Sequence, residues 1–104
     1  MEVIRSEKEF FQFISSDSSP LLILFTTHDC STCLPVERKI EERFPELAKR
    51  KVFIDDIPSI RGQLGVFTVP VVSVYVNSQE VGRFVRVFSI NEIEERLNRI
   101  KEIL

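Results

Sequence analysis

The stretch LLILFTTHDCSTCLPVE, Leu21–Glu37, decides how this chain is read. It opens with an unbroken apolar run, Leu21 to Phe25, and continues into two threonines. A segment that is apolar at every position, and not at every second one, suits a central strand buried on both faces. Behind it come both cysteines of the chain, Cys30 and Cys33, and its only histidine, His28. Further on, Val36, Ile40, Phe44 and Leu47 recur at helical spacing, and the charges of ERKIEER face water. The cysteines therefore stand where a buried strand hands over to a helix. Loops at the carboxyl ends of such strands are where α/β sheets keep their sites.

Outward from this stretch, strand-like and helix-like segments alternate. Glu2–Arg5 reads as a short first strand. Ser6 then caps a helix, with Glu9 reaching back in a capping box, and Phe10, Phe13 and Ile14 share one side. The polar run Ser15–Pro20 breaks it. Lys51–Asp55 reads as a third strand, and Pro58 opens a short helix that ends at Gly65. Val69–Val76 is rich in β-branched residues and joins Glu80–Val87 through a polar turn, Asn77–Gln79, as a hairpin with a bulge or bend at Gly82. Ser89 and Glu92 form a second capping box, Phe88 staples onto Ile93, and Ile93, Leu97, Ile100 and Leu104 make the buried stripe of the last helix. The order is β-α-β-α-β-α-β-β-α. It predicts three parallel strands with right-handed crossovers, an antiparallel terminal hairpin, and helices on both faces of a mixed sheet.

The totals fit one globular domain spanning residues 1–104, with a hydrophobic fraction of 43%. Fourteen basic against sixteen acidic residues give a net charge of −2, which argues against the basic face that nucleic-acid binding needs. The mixed charges of EIEERLNRIKE, Glu92–Glu102, read as a solvated helix face. The opening MEVIRSEKEFF is not a signal peptide, and the longest apolar run is far below the ~18 residues of a membrane span. The expected location is cytoplasmic, where two cysteines do not act as a static staple.

A C-x-x-C pair allows three readings. It can be half of a four-ligand zinc site, for which His28 is the only further soft ligand and a second subunit would have to complete the set. It can be two inert core thiols. It can be a redox pair: the start of a helix presents unpaired N–H groups and the positive end of its dipole, which favour a thiolate at Cys30, while Cys33 lies one turn further in as a shielded resolving thiol. Ser31 and Thr32 add hydroxyls able to donate to the sulfur anion.

Three features, taken together, resemble the thioredoxin superfamily over nearly the whole chain. They are CSTC after LLILFTTHD, the segment KVFIDDIPSIRGQLGVFTVP, and the terminal hairpin and helix VVSVYVNSQEVGRFVRVFSINEIEERLNRI. The resemblance implies the thioredoxin-like fold, Cys30 as nucleophile, Cys33 as resolving thiol, and a cis Val69–Pro70 bond facing the pair across a groove. Ser31, Thr32, Thr68, Val69, Pro70, Val85 and Arg86 would line that groove, with the Val69 backbone pairing to an extended substrate segment. An intramolecular Cys30–Cys33 disulfide is expected on oxidation. The implied function is a thiol–disulfide oxidoreductase, a monomer with no bound cofactor that reduces protein or low-molecular-weight disulfides. Its electrons would come from a thioredoxin-reductase-like donor or a small thiol. The alternative is a thioredoxin-like binding or regulatory module whose cysteines are redox-sensing or non-catalytic.

The chain also departs from the family. Asp29 replaces the aromatic residue before the first cysteine. Leu24 stands where thioredoxins keep a buried Asp, so Lys51, at the place of that acid's basic neighbour, is expected to lack its partner. Pro35 predicts an irregular first helical turn. Arg86 takes a place usually held by Gly. It either narrows the groove and favours acidic partners or anionic thiols, or points away into solvent. His28 either tunes the sulfurs or, the favoured expectation, is an exposed loop histidine without a task.

Overall fold

The structure is a computed structural model that describes residues 1–16 and 20–104; the middle of the expected helix breaker, residues 17–19, lies outside them. Among the described residues the elements run β1 (Val3–Ile4), α1 (Glu7–Ile14), β2 (Leu21–Thr26), α2 (Cys33–Arg43), β3 (Ala48–Phe53), α3 (Pro58–Leu64), β4 (Val71–Val76), β5 (Gln79–Val85) and α4 (Ile90–Ile103). The sheet order is β1-β3-β2-β4-β5. β3 pairs in parallel with β1 and β2, while β4 is antiparallel to both β2 and β5, as the order of elements predicts.

All residues of β2 are buried, which is what its unbroken apolar run requires. Successive side chains of a strand point to opposite faces, so β2 feeds two cores. Leu21, Ile23 and Phe25 pack with Phe10 and Ile14 of α1 and Ile60 of α3. Leu22 and Leu24 pack on the other face with Ile40 of α2 and with Ile93 and Leu97 of α4.

Several boundaries differ from the expectation, each for a local reason. The first capping box is half formed: Ser6 Oγ accepts from the Glu9 N–H at 3.1 Å, but the Glu9 carboxylate accepts from the Arg5 N–H, one residue early. α2 stops at Arg43, because a residue before proline avoids the helical region and Phe44 precedes Pro45. Phe44 and Leu47 still pack against the core from the turn beyond. β3 begins at Ala48 and ends at Phe53, where Lys51–Asp55 was the expected span, because the whole length of β2 offers it a ladder. Its basic side chains lie half-buried along their stems, with the Arg50 guanidinium 4.5 Å from the centre of the Phe13 ring.

The hairpin turn is the pair Asn77 and Ser78, with φ of 51° and 68°. Two consecutive positive values are the mark of the tight turn that matches strand twist. β5 ends at Val85 and not at Val87. The ladder passes from Val74↔Gly82 to Tyr75↔Glu80, so Val81 is the bulged residue, next to the expected Gly82. A Cβ on Gly82 would lie 3.1 Å from Arg96 Nη1, so glycine makes room for that side chain, which donates to the Val81 carbonyl. α4 carries the full capping box of Ser89 and Glu92. Its apolar stripe gives out after Ile100: Leu104 is 63% exposed at the C-cap.

Candidate redox site

Beyond Thr26 the chain turns twice before α2 begins. The Cys30 N–H donates to the Thr27 carbonyl at 3.3 Å, and the Cys33 N–H donates to the Cys30 carbonyl at 3.2 Å. Cys33 is the first helical residue and is 2% exposed. Cys30 lies partly exposed ahead of the N-cap, Thr32, further from the helix start than expected. The two sulfurs are joined in a disulfide, with Cα atoms 5.4 Å apart. Thr32 does not use its side chain to cap the helix; its hydroxyl lies 3.4 Å from Cys30 Sγ. Ser31 is exposed.

Asp29 is exposed and accepts a 2.9 Å hydrogen bond from the Thr27 hydroxyl. His28 is exposed but engaged, contrary to the expectation of an idle loop residue. Its ring stacks on Phe53 at 3.9 Å, its Nε2 is 2.8 Å from Asp56 Oδ2, and its backbone N–H donates to Asp55. The Asp56 hydrogen bond raises the His28 pKa; desolvation opposes it, and the charges of Asp56, Asp55 and Asp29 add smaller upward effects. A raised folded-state pKa means that the pair is fully formed below the ordinary histidine value and is lost as pH climbs through the raised one. The sulfurs are bonded to each other, and His28 is turned to Asp56.

Lys51 does have a partner, which corrects the expectation drawn from Leu24. Glu37, on α2, holds its Nζ at 2.9 and 3.1 Å, and the two side chains are only 14% and 17% exposed. This pair and both cysteines line one groove of about 390 Å³, with Thr27 and His28 at its mouth.

Val71 stands opposite Phe25 in the ladder, so Pro70 comes level with Thr26, at the end of the sheet from which the cysteine turn springs. Pro70 is buried, Val69 half-buried and Thr68 exposed, and the Val69–Pro70 bond is cis, as the resemblance implies. The Arg86 N–H donates to the Pro70 carbonyl at 2.8 Å. Arg86 has φ of 59°, and the Val87 N–H donates to the Val85 carbonyl across it at 2.7 Å, closing a γ-turn. The Arg86 side chain is exposed, beside exposed Val85 and Val87. Residue pattern alone singles out none of Asp55, Asp56 and Phe53. Only Glu37 carries a sequence signal, one helical turn after Cys33.

A five-stranded mixed sheet flanked by helices, a C-x-x-C disulfide behind its central strand and a cis-proline at the same end define a thioredoxin-like protein. The chain is 30% identical over 71 residues to the thioredoxin-like protein YdfQ of Bacillus subtilis, a match that takes in 68% of this chain and 63% of that protein. Its fold is similar to that of a mutant thioredoxin from Halobacterium salinarum, with a TM-score of 0.85 at 18% identity over 95% of this chain and 88% of that one. It is also similar to the Malassezia sympodialis thioredoxin, with a TM-score of 0.81 at 19% identity over 96% and 90% of the two chains. No family model matches the sequence. The chain has the thioredoxin fold and, over about two thirds of its length, a sequence similar to that of a thioredoxin-like protein.

Proposed function

We propose that the protein is a thiol–disulfide oxidoreductase working through Cys30 and Cys33, and that it reduces disulfides of proteins or small thiols. The observation that carries this reading is the disulfide between a partly exposed and a buried cysteine at the helix start. In the reduced protein the Cys30 thiolate attacks a substrate disulfide, forms a mixed disulfide and releases the first substrate thiolate. Cys33 then attacks Cys30 Sγ and the second thiolate leaves. Two electrons pass to the substrate, and a reductase or small thiol returns them. The Thr32 hydroxyl is placed to donate to the Cys30 thiolate. Ser31, Thr68, Val69 and Pro70 form the docking groove, with the Val69 backbone offered to an extended segment. No bound cofactor is needed, and the protein is read as a cytoplasmic monomer.

The test is reduction of insulin, driven first by dithiothreitol and then by NADPH with a thioredoxin reductase. Turnover above the background of the reductant is expected in at least the first. Its absence in both leaves the reading as a binding or regulatory module.

Arg86 adds a specificity element and carries its own prediction. A left-handed backbone costs a residue with a side chain about 1–2 kcal/mol, a penalty that glycine avoids while losing some chain entropy. Arg86→Gly is therefore expected to raise stability by about 1 kcal/mol in denaturant titration. A guanidinium near the sulfurs attracts carboxylates, an attraction that salt weakens when the group is exposed. The variant should reduce insulin faster and an anionic mixed disulfide more slowly. Wild-type rates on both substrates at low ionic strength would end the specificity idea.

A further inference from the structure

We propose that Glu37 is the proton acceptor for Cys33, the group through which the buried thiol is deprotonated when it resolves the mixed disulfide. This rests on the dithiol chemistry proposed above. Resolution needs Cys33 as a thiolate, yet Cys33 is 2% exposed, and burial disfavours the charged form of a thiol. Glu37 is four residues on in the same helix, so the two side chains project over one face with Cβ atoms roughly 5–6 Å apart. Both line the groove that opens beside Cys30.

The carboxylate is fixed in place. Lys51 Nζ grips both of its oxygens, and that ammonium lies 5.3 Å from the centre of the Phe53 ring. The Met1 amino group is 3.4 Å from Glu37 and 3.3 Å from Glu41. Exposed His28 and Asp29 stand at the mouth of the groove, with Asp55 and Asp56 behind His28. A largely buried ion pair is poorly explained as a stabiliser, because apolar residues of similar volume often serve stability as well or better. A base beside a buried thiol is a use that apolar residues could not fill. Leu24, whose side chain belongs to the same core face as α2, brings no carboxylate.

The step balances as follows. The Cys33 S–H proton passes to the Glu37 carboxylate through groove water, and the Cys33 thiolate attacks Cys30 Sγ. The bond from Cys30 to the substrate sulfur breaks, and the substrate thiolate leaves with the electron pair. Glu37 then returns its proton to that thiolate or to solvent. Lys51 is a positioning residue.

The experiment mixes fully reduced protein with the chromogenic disulfide of nitrobenzoate in a stopped-flow instrument. Two phases of thiolate release report attack by Cys30 and then resolution by Cys33. In Glu37→Gln the second phase should slow about 100-fold near neutral pH, the scale of a lost general base, while the first keeps its rate. The second phase should also rise with pH until Cys33 titrates unaided. Glu37→Asp should restore the wild-type shape of the pH profile and part of the rate. An unchanged second phase in Glu37→Gln, equal slowing of both phases, or a Glu37→Asp profile like that of Glu37→Gln would overturn the proposal. Release of only one thiolate by the wild-type protein would instead overturn the dithiol reading on which it rests.

Discussion

Cys33→Ser is expected to stop turnover and leave the protein covalently joined to its substrate through Cys30. In the proposed dithiol mechanism the two sulfurs take separate tasks because their surroundings differ: Cys30 is partly exposed with a hydroxyl 3.4 Å away, while Cys33 is almost fully covered. Without the buried sulfur the first exchange still runs, but nothing attacks Cys30 Sγ from within. Release then depends on outside thiol, and the rate falls by several orders of magnitude, as it does when a nucleophile that works in concert with another group is lost. Intact-mass measurement under non-reducing conditions should show protein plus one half of the substrate disulfide, removed by dithiothreitol. Cys30→Ser should lose turnover equally and form no adduct. Adduct formation by Cys30→Ser with none by Cys33→Ser would reverse the assignment. Undiminished turnover in either variant would remove the pair from the mechanism.

How far such roles can be read ahead of the structure depends on where the deciding interactions lie along the chain. β2 is legible because burial on both faces leaves no alternation, and each of its residues is buried as that pattern demands. The caps of α4 and the glycine end of α3 are legible because their partners lie within a few positions of one another. The start of β3 is not. Ala48, Lys49 and Arg50 look like surface residues, and they are a strand only because Leu21, Leu22 and Ile23 lie alongside to pair with them.

The site divides in the same way. The cysteines announce themselves through their spacing and their place behind a buried strand. The groups around them do not, because the Lys51–Glu37 pair joins residues 14 apart and the His28–Asp56 pair residues 28 apart. Only the fold reveals that Lys51 finds its acid on the helix and not on the strand. Arg86 is a mixed case. Its departure from the usual glycine is visible in the sequence, whereas the positive φ that makes the departure strained is visible only in the backbone.

Phe25→Ala is expected to be the most damaging single truncation outside the cysteines, at about 3–5 kcal/mol. Phe25 has no exposed surface, its ring is 6.2 Å from that of Phe10, and Phe10 in turn meets Tyr75 edge-on at 6.0 Å. The ring thus ties α1 to the central strand, while the backbone of Phe25 pairs with Val52 on one side and Val71 on the other. Neighbours held on a sheet cannot collapse into the space left behind, so the loss combines transfer free energy with a cavity. Domains of this kind have roughly 5–15 kcal/mol of stability in all, so the variant should lie close to the edge of folding. Its guanidinium midpoint should fall sharply with an unchanged slope, both proteins being kept in the disulfide form. Leu34→Ala makes the contrast: Leu34 adjoins Cys33 yet is 60% exposed, so its loss should change stability by about 0.5 kcal/mol or less. A Phe25→Ala loss as small as that of Leu34→Ala would mean that the core beneath the cysteine turn repacks freely, and that β2 is not the rigid base on which the redox pair is held.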